Sequence, residues 1–312
     1  MVILFFKKKF SRFYSTFDIF QVDSLRSILP VEVEVIFSSE KALLDKADIV
    51  VIDLPFISSI FEGEGELVKR ENQLWVAWNL ESEINYPWML SESIKNFFDI
   101  WMTYHLDADV VLPYFNYSYK KLLKTPPTPK SLNCCMFISS HVNSSHRFEF
   151  LSELMRYIPI DSYGAWKNNC TIGVDRGYTT KLEIMSKYKF TVAFENALQE
   201  DYVTEKFFDP LIAGSVPLYY GAPNIELFSP GENSYLNVRS FESPKVLADI
   251  IMDYCKDERK YSELIAWKFK NLPLGLSTLI DGQREHPLCR LIALVQQMVK
   301  PGITHKGICR QL

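Results

Sequence analysis

The sequence predicts an α/β protein built from two α/β units in series. Short apolar, β-rich runs alternate with charged, helix-prone stretches; a Pro/Lys block at 120–132 interrupts that rhythm; and the rhythm restarts beyond it. A chain of 312 residues suits two domains of roughly 150 residues each. The organisation expected is an N-terminal unit 1–119, a linker 120–132, and a C-terminal unit 133–312 ending in a helical tail.

The apolar run 2–6 is the expected first strand. Lys7-Lys8-Lys9 stops it far short of the roughly 20 residues of a membrane span, and short of a signal-peptide core. Further strands are expected at 31–37, 48–53 and 74–78, with a helical stretch at 41–47. The block KKLLKTPPTPKSL, with three prolines and four lysines, reads as the linker. A strand at 134–138 follows, then an amphipathic helix over 146–158 with Phe148, Leu151, Leu154 and Met155 at helical spacing. Next come a helix at 179–188, a strand at 190–194, a helix from about 203, and strands at 216–220 and 235–238. The tail, 243–270 and 286–300, is mostly helical. Pro210 removes a backbone donor inside its helix and predicts a kink. Two such units make a cleft between the carboxyl ends of their sheets, where open α/β folds bind ligands.

The balance of 47% apolar and 23% charged residues excludes disordered and fibrous classes. A net charge of -4 gives no general attraction to nucleic acid or anionic membranes, so any phosphate site must be local. Aromatic residues at 14% suit stackable or sugar-like ligands. Six scattered cysteines permit some pairing without implying a disulfide scaffold. The sequons at Asn116, Asn143 and Asn169 decide nothing.

The strongest chemical signal is Phe194-Glu195-Asn196 at a strand end, followed by Asp201-Tyr-Val-Thr-Glu-Lys206 opening a helix. Strand, polar loop and helix start present free N–H groups and a positive dipole end to an anion. Asp201 or Thr204 could cap that helix. Lys206 in its first turn opposes the dipole, a conflict a phosphate would remove; a solvated Glu-Lys pair is the plainer reading.

FENALQEDYVTEKFFDPLIAGSVPLYYGAP, with IDSYG upstream and NLESEINYP in the first half, resembles the α1,3/α1,4-fucosyltransferase family, most closely its plant-type core α1,3 members. The resemblance runs from about Trp75 to about Trp267. It implies two Rossmann-like domains facing across a cleft (the GT-B architecture) and inverting transfer from GDP-fucose to an oligosaccharide or glycoprotein acceptor. It implies no obligatory metal, with Mn2+ or Mg2+ at most stimulating. By position, Arg147 and Lys206 would contact the diphosphate, Glu205 would hydrogen-bond hydroxyls of the nucleotide sugar, Asn196 and Tyr202 would complete the donor site, and Glu81 would be the general base. Relatives of this kind are usually Golgi-anchored by a membrane span; none is read in this chain, and the compartment stays open. A related transferase using another nucleotide sugar, and a catalytically silent glycan- or nucleotide-binding protein on the same fold, are the alternatives.

Charge grows on the departing GDP during fucosyl transfer, so fixed cations at the diphosphate matter most in the transition state. Arg147 near a helix start could grip phosphate oxygens with its fork, or be a plain surface arginine. Inversion needs a carboxylate on the acceptor side. Glu81, just beyond the strand 74–78, fits; Glu83 is its rival, and both could be plain loop acids. Asp107-Ala108-Asp109 could hold a divalent ion, but resembles a first-domain segment of the family instead. His286/Cys289 and His305/Cys309 would lie roughly 20 Å apart along a continuous helix, too far to share an ion. Gly63-Glu64-Gly65 sits among acids that would repel phosphate.

Overall fold

The computed structural model describes residues 1–6, 28–57 and 68–298. The first half builds one sheet from β1 (Val2–Phe6), β2 (Glu34–Ser38), β3 (Ile49–Asp53), β4 (Leu74–Asn79), β5 (Ile100–Thr103) and β6 (Val110–Val111). The second builds another from β7 (Leu132–Met136), β8 (Asp161–Ser162), β9 (Tyr188–Phe194), β10 (Val216–Tyr220) and β11 (Leu236–Asn237). Helices α1 (Glu92–Phe97), α2 (Tyr119–Leu122), α3 (Arg147–Leu154), α4 (Tyr178–Met185) and α5 (Glu205–Ala213) lie between strands. The tail carries α6 (Pro244–Lys256), α7 (Glu258–Ile265), α8 (Leu274–Asp281) and α9 (Pro287–Met298).

Every described pairing is parallel. The orders are β2-β1-β3-β4-β5-β6 and β11-β10-β9-β7-β8, so both sheets are wound the same way and reverse direction after their first strand. The reversals fall between β1 and β3 and between β7 and β9, the places where such sheets open a ligand crevice at their carboxyl edges. Strands β3, β4 and β9 are buried at every residue, which is why they read as unbroken apolar runs.

Packing explains the rest. Leu151, Leu154, Leu247 and Ile251 of α3 and α6 cover one face of the second sheet, against Phe190, Val192 and Leu218. Phe207 and Leu211 of α5 cover the other face, against Ala193 and Tyr219, joined by Ile280 of α8. Helix α9 belongs elsewhere: Leu288, Leu291, Ile292 and Val295 pack into the core of the first sheet with Ile3, Val51, Val76 and Met102. The last helix among the described residues therefore completes the first half.

Several elements differ from expectation. The second strand starts at Glu34, and 41–47 forms a 3-10 helix at Lys41–Lys46. Helix α5 begins at Glu205 because Thr204 caps it, and it continues through Pro210 to Ala213. Gly214 closes it at φ 75°, with Pro127 2.8 Å from where a Cβ would stand. The Pro/Lys block is anchored: Lys130 Nζ donates to the carbonyls of Ser186 (2.7 Å) and Ala213 (3.2 Å), and Thr128 Oγ1 to Ser186 O (3.1 Å). Among the described residues no helix is long and apolar enough to cross a membrane.

Candidate active site

A cleft of about 820 Å³ lies between the carboxyl ends of the two sheets. Pro55, Phe56, Glu81, Tyr86 and Tyr114 line it from the first half; Ser139, Ser140, Arg147, Lys181, Asn196, Tyr202, Thr204, Glu205, Lys206 and Asp209 line it from the second. The six residues singled out in the sequence thus share one cavity.

The second-half wall is built where β9 ends. Glu195 is fully buried and accepts from Thr204 N (2.8 Å) and Thr204 Oγ1 (2.9 Å). Thr204 Oγ1 in turn caps α5 through Lys206 N at 3.3 Å. Lys206 Nζ donates to Thr204 Oγ1 (2.9 Å) and Glu205 Oε1 (3.2 Å), and lies 3.3 Å from Glu195 Oε2. Burial disfavours the ammonium, but Glu195 and Glu205 hold its pKa above the ordinary lysine value. The conflict between Lys206 and the helix dipole is therefore offset by two carboxylates. Burial raises Glu205 too, yet Lys206 and Lys181 outweigh it and bring the carboxyl down to about 2.

Sequence reasoning missed Glu195 as the anchor of this wall, although it stands in the FEN block, and Lys181 as a third cation. Lys181, on α4, pairs with the fully buried Asp209 at 2.7 Å, and Tyr178 OH donates to Asp209 at 3.1 Å.

Arg147 is committed in large part to backbone. Its guanidinium is buried, with Nη1 donating to Phe194 O (3.0 Å) and Nη2 to Ser140 O (2.9 Å) and Val142 O (3.0 Å). Nε is buried without a partner. Three of the five N–H groups tie the end of β9 to the loop after β7, which leaves Nε and one Nη1 N–H uncommitted on a residue that lines the cleft. Gly164 of IDSYG supports the same loop: a Cβ there would collide with the backbone of Ile138.

The first-half wall is set by a clasp. Glu81 N donates to Asn79 Oδ1 and Asn79 Nδ2 to Glu81 O, each at 2.8 Å, and this turns the Glu81 carboxylate into the cleft. Burial raises its pKa more than Lys206 and the Tyr202 hydroxyl lower it. Tyr202 OH lies 3.3 Å from Glu81 Oε2. Asn196 Oδ1 accepts from Asn85 Nδ2 across the halves at 3.1 Å.

Glu83 does not line the cleft. It is 5% exposed and accepts from Tyr104 OH (2.6 Å), Gln199 Nε2 (2.7 Å) and Asn79 Nδ2 (3.1 Å). Asp107 is exposed, Asp109 Oδ2 accepts from Trp101 N at 2.7 Å, and neither reaches the cleft. Among the described residues no three His, Cys, Asp or Glu gather as a metal site. His286 Nδ1 accepts from Leu288 N at 3.2 Å; His305, Cys309 and Gly63-Glu64-Gly65 lie outside the described residues.

Two doubly wound sheets facing a cleft that carries Lys181 and Lys206 make the GT-B architecture. A crystal structure of an α1,3-fucosyltransferase with GDP-fucose superposes with a TM-score of 0.65 at 16% identity, covering 97% of this chain and 91% of that one. The model for the glycosyltransferase family 10 (fucosyltransferase) C-terminal region matches residues 127–306, and the fucosyltransferase N-terminal model matches 1–115. The chain belongs to glycosyltransferase family 10.

A fucosyltransferase-like protein of Arabidopsis thaliana is 33% identical over 237 residues, 75% of this chain and 45% of the relative. GDP-fucose protein O-fucosyltransferase 3 of Xenopus tropicalis is 40% identical over 130 residues, 40% of this chain and 28% of the relative. Alpha-(1,3)-fucosyltransferase B of Drosophila melanogaster is 28% identical over 225 residues, 66% of this chain and 51% of the relative. The chain thus spans about half or less of the length of these curated relatives.

Proposed function

We propose that the protein is an inverting fucosyltransferase that moves fucose from GDP-fucose to a hydroxyl of a GlcNAc-containing glycan in α1,3 linkage. The observation that carries this reading is that Glu81 from one half and Lys206 from the other line a single cleft. Glu81 removes the acceptor proton as the acceptor oxygen bonds to the anomeric carbon. The bond from that carbon to the diphosphate breaks, and its electron pair leaves with GDP. Lys206, beside the start of α5, neutralises the charge that grows there. Glu205, held ionised, accepts from donor hydroxyls. Asn196 and Tyr202 shape the donor pocket, and Arg147 reaches the diphosphate through its uncommitted N–H groups. A base held above the ordinary carboxylate range by burial has more proton affinity for this step than a solvated one.

The similarity to GDP-fucose protein O-fucosyltransferase 3 favours a second acceptor, a Ser or Thr hydroxyl of a protein. One experiment separates the readings: incubation with GDP-fucose, GDP-mannose and UDP-GlcNAc against GlcNAc-terminated glycans and Ser/Thr peptides, with linkage analysis of the product. Fucose on a GlcNAc 3-hydroxyl supports the main proposal. Fucose on the peptide supports the second, transfer from another donor supports a different sugar specificity, and binding without transfer makes the protein a silent member of the fold.

A further inference from the structure

The segment 195–204 carries Asn196 and Tyr202, and a partly buried cluster fastens it to the first half. His105 lies between carboxylates drawn from the two halves: Nε2 is 3.2 Å from Glu83 Oε2, and Nδ1 is 3.8 Å from Asp201 Oδ2. Gln199 contributes a parallel link, with Nε2 donating to Glu83 at 2.7 Å and Oε1 accepting from Ser82 Oγ at 2.5 Å. Asp201 Oδ2 also accepts from Leu106 N at 3.0 Å.

Asp201 itself is held at φ 64°, in the left-handed region, by reciprocal bonds with Asn224: its N–H donates to Asn224 Oδ1 (3.0 Å), and Asn224 Nδ2 to Asp201 Oδ1 (2.9 Å). A non-glycine residue keeps that conformation only where its surroundings over-determine it. The next residue is Tyr202, whose ring meets Tyr104 edge-on at 5.1 Å while its hydroxyl reaches Glu81.

We infer that His105 is a positioning residue: as a cation between Glu83 and Asp201 it holds the segment 195–204 against the first half so that Tyr202 meets Glu81. The inference deepens the proposed reaction and rests on Glu81 being its base. With a neutral side chain at 105, two carboxylates from opposite halves face each other with no charge between them, and the contact weakens. Glu83, Asp201 and Tyr104 are the titratable groups against His105; Lys206, Tyr202, Glu205 and Asp53 are those acting on Glu81. Burial works against the charged ring, but Asp201 and Glu83 push it up to about 9. The clamp is therefore charged throughout the neutral range and released as pH rises through about 9.

The test compares the full chain with His105→Gln and with the charge-free triple variant His105→Gln/Glu83→Gln/Asp201→Asn. Two quantities are read: amide hydrogen exchange across 199–204, and single-turnover fucosyl transfer as a function of pH. His105→Gln is expected to speed exchange about tenfold or more, and to slow transfer by about 10- to 100-fold, with a smaller loss of GDP-fucose affinity because Asn196 and Tyr202 ride on the same segment. Its acid limb should move to higher pH, because Glu81 loses the Tyr202 hydrogen bond that lowers its pKa. The triple variant should recover both slow exchange and transfer, and should lose the fall near pH 9. Unchanged exchange in His105→Gln, or a triple variant as impaired as the single one, overturns the inference. Exchange does not depend on activity: the expected exchange pattern in a wild type that transfers no fucose supports the clamp and overturns the reaction instead.

Discussion

Tyr202, carried by the second half, places its hydroxyl 3.3 Å from Oε2 of Glu81, the acid at the end of β4 in the first. The proposed base thus receives a hydrogen bond from the opposite wall of the cleft, and its proton affinity depends on how the walls meet. Its neighbour Glu83, two residues on, is committed to Tyr104, His105 and Gln199.

This division predicts a kinetic difference between two acids of one loop. Glu81→Gln should slow transfer by about 10² to 10⁴ while calorimetric GDP-fucose binding stays nearly constant. Glu83→Gln, which still accepts from Tyr104, should slow transfer far less and act chiefly on thermal stability. A dead Glu83→Gln beside a near-normal Glu81→Gln would reverse the assignment.

Lys206→Ala should behave unlike either. It removes a cation that meets the diphosphate in ground and transition states alike, so both GDP affinity and the transfer rate should drop. Unchanged GDP affinity by calorimetry would place the diphosphate elsewhere in the cleft.

Glu205 predicts a pH signature. Its carboxyl, at about 2 against an ordinary 4.5, is lowered on folding, so its contribution to stability is full above the unfolded value and is lost as pH falls from about 4.5 to 2. Urea melts of wild type and Glu205→Gln should differ by a constant amount above about pH 5 and converge below it. Parallel curves down to pH 2 would contradict the assignment.

Transfer should persist in EDTA. Arg147, Lys181, Lys206 and the start of α5 supply positive charge to the cleft from the protein itself. Complete loss on chelation, restored by Mn2+, would point to a bridging metal.

Gly164→Ala should impair the site from behind. The added methyl meets the backbone of Ile138, so the 138–140 wall must shift. A fall in GDP affinity, measured by calorimetry, is expected.

The parts legible in the sequence are those with local causes. Strands β4, β9 and β10 sit inside their sheets and announce themselves as apolar runs, and Thr204 caps α5 from within the YVTEK block. Strands β6 and β8, with two residues each, and the four-residue β5 offer too little pattern to stand out. The stripe on α9 tells which face is buried but not which core receives it. Glu81 and Glu83 are the same chemistry two positions apart; only the Asn79 clasp and the distant Tyr104 and Gln199 distinguish them. Arg147 was visible as a cation near a helix start, but its carbonyl partners belong to β9 and the loop after β7, whose approach no local pattern reports.

The return of α9 to the first sheet means that, among the described residues, the polypeptide passes between the halves twice, once between Leu112 and Phe115 and again between Ile280 and Leu288. A single crossing would let the halves swivel freely about one point. Two crossings, with the bonds from 195–204 to the first half, hold the halves together at several separate places. Cutting the chain at the Pro/Lys block therefore yields no separable piece, because the fragment beyond it carries away α9, a wall of the first half's interior.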